Sequence, residues 1–149
     1  MKSLEFSLKL SALSAMLYSA PLMNIDFLPV REMIASHAAS FLGFLGQAVS
    51  RDGTLLMLGN SEIAITRDCV PWKLTLFFFS LTLLSSATIR KKAAMLSSFI
   101  VMVYAANIAR IAVLSYSAAF GEQLFWLVHF VFQAAFIAFA VGYWALWRR

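Results

Sequence analysis

Long apolar runs dominate this 149-residue chain and limit what it can fold into. Hydrophobic residues make up 62% of the sequence and charged residues only 13%, about half the share that is typical of soluble globular domains. The strands of a membrane barrel alternate apolar and polar residues, whereas these runs are continuous, which indicates helices. We therefore predict an all-α integral membrane protein that forms one domain over residues 1–149.

Four of the runs are long enough to cross a bilayer, because a spanning helix needs about 20 residues. The predicted spans are residues 10–28, 70–88, 93–117 and 123–147. The first run can also be read as a signal peptide that is cleaved after Ala20. Pro21 would then follow the cleaved bond, and the apolar run continues beyond it. We therefore expect an uncleaved first span.

The stretch 31–50 is also apolar, but polar residues recur in it every three to four positions. The polar stripe contains Glu32, Ser36, Ser40, Gly43 and Gln47, and the opposite face contains Met33, Ile34, His37, Phe41, Leu45 and Val49. This periodicity predicts an amphipathic helix that lies in the membrane interface on the outer face, with His37 as an interfacial residue. Two β-rich runs around Gly59 and Asn60 then predict a small β-hairpin over residues 54–66.

The distribution of charge predicts the orientation. With both termini inside, seven basic residues face one acidic residue at the inner surface, and four basic residues face six acidic residues at the outer surface. Lysine and arginine are enriched in cytoplasmic loops of membrane proteins, so this arrangement is the favoured one. The net charge of +5 therefore reflects membrane topology, and we expect no nucleic-acid partner.

Three chemically useful residues are predicted to lie at one depth in the outer leaflet. Arg110 comes 17 residues after Ala93, which places it roughly 25 Å above the inner boundary at about 1.5 Å per residue. His129 lies near the outer start of the fourth span, and Cys69 directly precedes the second span. Three different spans are thus expected to bring a thiol, a guanidinium and an imidazole together.

This trio has the composition of a cysteine acyl-transfer site. A histidine can take the thiol proton and return it to a leaving amine, while an arginine can stabilise the thiolate or an oxyanion. Each residue also has a simpler interpretation, which remains open at this point. Cys69 can be a small packing residue, Arg110 can extend its charge to the surface, and His129 can be an interfacial residue.

Helical spacing adds three candidate supporting residues. Asn107 lies three residues before Arg110 and can orient its guanidinium, and Gln133 lies four after His129 and can hold the second ring nitrogen. Lys73 lies four after Cys69, where it can lower the pKa of the thiol or anchor the span at the interface. One cysteine and two histidines favour neither a disulfide nor a zinc site, so we expect no metal and no cofactor.

The pair Asp68-Cys69, the run Asn107-Ile108-Ala109-Arg110-Ile111 and His129 resemble the exosortase/archaeosortase family of integral-membrane cysteine transpeptidases, over roughly residues 50–140. The resemblance implies that Cys69 is the nucleophile, Arg110 the electrostatic stabiliser and His129 the acid/base. It also implies substrates that are secreted proteins with a C-terminal sorting tail, made of a short motif, a hydrophobic helix and a basic cluster. The acceptor would be a membrane lipid or another envelope component, and the active site would face outward from a bacterial or archaeal cytoplasmic membrane.

The sequence departs from the family pattern directly after the cysteine. The family commonly has a small residue and then glycine there, whereas Val70 and Pro71 follow Cys69 in this chain. Two other functions compete with a transpeptidase. A noncatalytic assembly partner would bind hydrophobic protein tails without using the thiol, and a small channel would use Arg110 to line an aqueous path.

Overall fold

The computed structural model describes residues 3–17, 19, 25–59, 61–118 and 120–148 of the chain. Within these residues lie five α-helices, one 3-10 turn and a three-stranded sheet. In chain order the elements are α1 (Ser3–Leu17), α2 (Leu28–Phe44), β1 (Val49–Asp52), β2 (Leu55–Leu58), β3 (Ser61–Ala64), the cysteine turn (Arg67–Cys69), α3 (Trp72–Leu84), α4 (Ile89–Ala118) and α5 (Glu122–Arg148). This mainly helical architecture supports the predicted membrane class.

Helix length separates α4 and α5 from the other helices. α4 has 30 residues and α5 has 27, which correspond to about 45 Å and 40 Å, more than the roughly 30 Å of a bilayer's hydrocarbon core. α1 has 15 residues and α3 has 13, or about 22 Å and 20 Å. Among the described residues, two helices are therefore long and apolar enough to cross a membrane, where the sequence predicted four spans.

α1 lies earlier in the chain than predicted. It begins at Ser3 and ends at Leu17, whereas the predicted span was 10–28, and residues 25–27 are irregular. Hydropathy alone does not locate the ends of a helix. α1 begins with polar residues that precede the apolar run. Pro29 then occupies the first turn of α2, where proline is well tolerated. The possible cleavage site at Ala20 and Pro21 lies outside the described residues.

α3 ends four residues before the predicted limit of 88. Hydroxyl side chains near its end donate hydrogen bonds to backbone carbonyls. Thr82 Oγ1 donates to the Phe78 carbonyl at 2.8 Å, and Ser85 Oγ donates to the Thr82 carbonyl at 2.8 Å. Serine and threonine that bond nearby carbonyls compete with the regular helical pattern. The helix consequently stops at the serine pair that follows Leu84.

α2 ends at Phe44, so the predicted amphipathic helix over 31–50 is too long. Gly46 has φ +80°, and the amides of Gly46 and Gln47 donate to the carbonyls of Gly43 and Leu42 at 3.0 Å each. This pair of bonds is the Schellman motif, which uses a left-handed glycine to satisfy the last carbonyls of a helix. Val49 and Ser50, assigned to the helix from the sequence, belong to β1.

The predicted hairpin is the second half of a three-stranded antiparallel sheet with the order β1-β2-β3. β1 pairs with β2 in the register Val49↔Leu58, and β2 pairs with β3 in the register Leu55↔Ala64. Gly53 and Gly59 supply the positive φ values that the two tight turns need. The turn at Gly59 was predicted from the sequence. The turn at Gly53 was not, because the predicted amphipathic helix extended into β1.

The buried face of α2 also differs from the predicted apolar face. Its buried residues are Ile34, Ala35, Ala38 and Leu42, and α2 packs against the sheet and the cysteine turn. Met33 and Leu45 are 45% and 54% exposed, although they belong to the predicted apolar face. Alanine lets the helix approach the sheet closely, so small residues rather than the largest apolar ones occupy this interface.

The chain divides into two compact units. The first contains the described residues of 1–25, 72–102 and 136–149, and in it Phe78 stacks on Phe99 with a centroid separation of 3.7 Å. The second contains 26–71 and 103–135, that is α2, the sheet, the cysteine turn and adjoining parts of α4 and α5. Every predicted site residue except Lys73 belongs to the second unit.

Candidate active site

Cys69 is the last residue of the cysteine turn, between β3 and α3. Its amide donates to the Thr66 carbonyl at 3.0 Å, and the Val70 amide donates to the Arg67 carbonyl at 3.1 Å, which closes the turn. Val70 has φ −85° and ψ 129°, the extended conformation that a residue before proline favours. The position that is commonly small in the family therefore accepts valine without backbone strain.

The thiol of Cys69 is half-buried and contacts Thr66. Its Sγ lies 3.7 Å from Thr66 Oγ1, and either atom can be the donor. Thr66 itself is exposed and extended, with φ −82° and ψ 174°. A threonine three residues before the cysteine thus lies next to the candidate nucleophile, which the sequence analysis did not foresee.

Asn107 connects the cysteine turn to α4. Its side chain is completely buried, and its Nδ2 donates to the Cys69 carbonyl at 2.7 Å. Its Oδ1 accepts a hydrogen bond from Arg110 Nη1 at 3.3 Å. Because arginine can only donate, this second bond fixes which end of the amide faces which partner. Asn107 therefore hydrogen-bonds both to Arg110 and to the backbone of the cysteine.

Arg110 is buried, with 6% of its surface exposed. Besides the bond to Asn107, its Nη2 lies 3.2 Å from His129 Nδ1. Its Nε has no hydrogen-bond partner within the described part of the chain. A buried charge is costly unless it is paired, so an unused N–H on a buried guanidinium is a natural position for a ligand oxygen.

His129 lies on α5, and its side chain contacts Arg110 of α4 and Gln133 of α5. Gln133 Nε2 lies 3.3 Å from His129 Nε2, so both ring nitrogens have a hydrogen-bond partner. The rings of Phe125, Trp126 and Phe130 surround the imidazole, with centroids at 6.3, 5.7 and 6.0 Å. Asp68, the residue before the cysteine, interacts electrostatically with it. Gln133, four residues further along α5, thus contacts the second ring nitrogen.

One chain of hydrogen bonds therefore joins five of the predicted residues. It runs from the Cys69 carbonyl to Asn107, Arg110, His129 and Gln133. Lys73, the sixth, lies in the first turn of α3, with its ammonium 5.6 Å from the centroid of the Trp72 ring. A cation over an aromatic ring at the start of an apolar helix suits the interfacial-anchor interpretation.

Arg31 is a second residue that sequence reasoning missed. Its Nε donates to the Ile65 carbonyl at 2.8 Å, its Nη1 forms an ion pair with Asp26 at 3.0 Å, and its Nη2 donates to Thr54 Oγ1 at 3.5 Å. The Ile65 carbonyl comes immediately before Thr66. Arg31 therefore fastens α2 to the segment that carries the cysteine turn. Nothing in the sequence indicated a partner 34 positions away.

His37 makes a side-chain contact that the sequence did not predict. Its Nδ1 lies 2.6 Å from the hydroxyl of Tyr104 on α4. The pair borders an open groove of about 530 Å³, whose lining is His37, Ser40, Phe41, Tyr104, Ala105, Ile108 and Ala109. The groove is almost entirely apolar, and it runs along the same part of α4 that carries Asn107 and Arg110.

The long apolar helices are those of a membrane protein, and in it a hydrogen-bonded set of side chains joins the backbone of the single cysteine to a buried arginine and a histidine. The chain belongs to the transmembrane exosortase family, whose sequence model matches residues 2–147. This confirms the family resemblance and extends it to nearly the whole chain. No curated protein matches the chain, and no solved structure matches it. Family membership implies, in general terms, a membrane-bound role like that of a transpeptidase.

Proposed function

We propose that this protein is a membrane-embedded cysteine transpeptidase or peptidase that removes the C-terminal hydrophobic sorting tail of secreted proteins. The observation that carries the proposal is the continuous set of hydrogen bonds from the Cys69 backbone through Asn107 and Arg110 to His129. Acyl transfer needs a nucleophile, a proton carrier and a cation near the developing oxyanion. The proposed roles are Cys69 as nucleophile, His129 as acid/base and Arg110 as electrostatic stabiliser.

The proposed reaction passes through a thioester. Cys69 Sγ attacks the carbonyl carbon of the scissile peptide bond, and the carbonyl oxygen faces Arg110, which has an unused Nε–H. A preorganised donor of this kind contributes about 3–4 kcal/mol of transition-state stabilisation in acyl-transfer enzymes. His129 gives a proton to the departing amine, and an acceptor amine, hydroxyl or water then releases the thioester. These steps use only side chains of the chain, and we propose no cofactor.

The proposed location is a bacterial or archaeal cytoplasmic membrane, with both termini inside and the site facing outward. The charge distribution of the connecting segments supports this orientation. In this arrangement α1 and α3 are the two shorter members of four spans, and Cys69 precedes α3 at its outer end. The proposed partners are secreted proteins with a hydrophobic C-terminal helix and a basic cluster, together with a lipid or envelope acceptor.

A second candidate is a noncatalytic partner that binds hydrophobic protein tails. The open apolar groove, which is lined by His37 and Phe41 of α2 and by Tyr104, Ala105 and Ala109 of α4, favours it, because small residues allow a helix to approach closely. This candidate requires no thiolate. Substitution of the cysteine therefore separates it from the transpeptidase.

The decisive experiment compares envelope proteins in cells that carry wild type, Cys69→Ala, Arg110→Gln or no copy of the gene. Intact mass spectrometry and gel mobility identify proteins that lose a hydrophobic C-terminal tail. We expect processing only with wild type, and an added mass on the new C-terminus would identify transfer rather than hydrolysis. If Cys69→Ala processed every protein that wild type processes, the transpeptidase would be excluded and the tail-binding partner favoured.

A further inference from the structure

The protonation state of His129 follows from its hydrogen bond to Arg110. A guanidinium carries donors only, so the 3.2 Å contact between Arg110 Nη2 and His129 Nδ1 requires Nδ1 to be the acceptor. Nδ1 therefore carries no proton. A protonated imidazolium, in which both nitrogens are donors, is incompatible with this contact.

The other ring nitrogen must then hold the proton. His129 Nε2 faces the amide of Gln133 at 3.3 Å, and a donor at Nε2 needs an acceptor there. The amide oxygen and nitrogen of glutamine exchange places by a half-turn, and the hydrogen-bond network decides which is present. The network places Gln133 Oε1 opposite the Nε2–H. His129 is consequently neutral, and its one basic lone pair points to Arg110.

This arrangement keeps the base away from the nucleophile. The Cys69 thiol contacts the Thr66 hydroxyl at 3.7 Å, while the lone pair on His129 is bound to Arg110. We propose, on the basis of the proposed transpeptidase function, that Arg110 masks the catalytic base in the empty site and that the substrate unmasks it. The carbonyl oxygen of the scissile bond accepts from the unused Arg110 Nε–H and replaces His129 as the acceptor of the neighbouring Nη2–H.

The proposed exchange proceeds in balanced steps. When the carbonyl oxygen binds Arg110, Nδ1 is released and takes the proton of the Cys69 thiol. The sulfur electron pair forms the C–S bond, and the carbonyl π electrons move to the oxygen that faces Arg110. On collapse the C–N bond breaks, its electron pair stays on nitrogen, and the proton moves from Nδ1 to that nitrogen. The products are the Cys69 thioester and the released tail with a free amine.

Charge provides the reason for coupling the two events. Arg110 on α4 contacts His129 on α5, and the acidic residue Asp68 lies in the cysteine turn directly before Cys69. In the empty site an imidazolium would lie directly against the positively charged Arg110 guanidinium. Once an oxyanion forms at Arg110, the positive charge is neutralised locally and the imidazolium is tolerated. Proton uptake by His129 is therefore favoured only while the substrate carbonyl is being attacked.

The variant His129→Asn tests the proposal. The asparagine Oδ1 can accept from Arg110 near the position of Nδ1, but it cannot carry a titrating proton. Cys69 is the only cysteine of the chain, so its alkylation by iodoacetamide, followed by intact mass, reports this thiol alone. Without substrate, we expect H129N to be alkylated at a rate within about twofold of wild type over about pH 6–9. In cells we expect its tail processing to fall by at least about 100-fold.

Other outcomes would overturn the proposal. Slower alkylation of H129N at neutral pH would mean that His129 already serves the thiol in the empty site. Full processing by H129N would mean that His129 positions Arg110 and transfers no proton. Full processing by Cys69→Ala would instead contradict the proposed transpeptidase function itself. Ser50→Ala is the control, because Ser50 is exposed on β1 and lies in neither the site nor the groove, and both readouts should stay at the wild-type level.

A measurement on the native site does not depend on the folding of H129N. In the His37→Asn protein His129 is the one remaining histidine, so ¹⁵N-histidine NMR reads its ring alone. We expect a neutral ring with the proton on Nε2 at neutral pH in the absence of substrate. A proton on Nδ1, or an imidazolium, would refute the masking contact.

Discussion

Replacing Asn107 by leucine should destabilise the protein and disturb the cysteine. Asn107 is completely buried and makes two hydrogen bonds, to the Cys69 carbonyl and from Arg110. Leucine has similar volume but no polar atoms, so it leaves one buried carbonyl and one charged donor without a partner. Each such loss costs about 1–3 kcal/mol, and the two together about 2–6 kcal/mol. For a chain of this size the melting temperature should fall by about 5–15 °C.

The measurement is thermal unfolding of the purified protein in one detergent, paired with the iodoacetamide rate of Cys69. Ser115→Ala is the matched control, since Ser115 is also fully buried on α4 and its Oγ has no partner among the described residues. Loss of the Ser115 hydroxyl should leave the melting temperature and the alkylation rate of Cys69 nearly unchanged. Asn107→Asp keeps an acceptor for Arg110 and removes the donor to Cys69. If N107L unfolded within about 2 °C of wild type, the two bonds would contribute little and the reasoning would be wrong.

Three further changes test other contacts of the second unit. Thr66→Val removes the hydroxyl beside the thiol and should change the alkylation rate of Cys69, whereas Thr66→Ser should preserve it; equal rates for both variants would show that the 3.7 Å contact is passive. Gly46→Ala should lower stability by about 1–2 kcal/mol because the position has φ +80°, and unchanged unfolding would contradict the Schellman ending of α2. Arg31→Met should increase proteolysis of the segment before the cysteine turn, since the Ile65 carbonyl loses its side-chain donor; an unchanged proteolytic pattern would exclude this anchoring role.

The pairing of site residues along a single helix was predictable, because spacing within a helix fixes which side chains are neighbours. The three-residue interval from Asn107 to Arg110 and the four-residue interval from His129 to Gln133 both correspond to observed contacts. The positions of the two long helices were predicted well for the same reason, since their apolar runs are continuous. Their bounds differ from the predicted spans by a few residues.

Contacts between distant segments were less predictable. The prediction that Cys69 and Arg110 approach each other rested on depth, but the residue that joins them is Asn107, through a backbone carbonyl that any residue would offer. Thr66 and Arg31 had no periodic signal at all, and their roles depend on a turn and on a pairing 34 positions apart. The buried face of α2 was predicted wrongly because the prediction assigned the large apolar side chains to the interface. The face that packs on the sheet instead contains small residues, which allow a close approach.

The sequence by itself determined that this is a helical membrane protein with a cysteine, an arginine and a histidine near the ends of different helices. Apolar runs and helical periodicity are local properties of the sequence. They can therefore be recognised without knowledge of the tertiary structure. Only the tertiary structure decided that Arg110 donates to His129 and to Asn107 at once, and that the thiol contacts Thr66. Hydrogen bonds depend on direction and on separations of about 3 Å, and only packing of the segments against one another sets them.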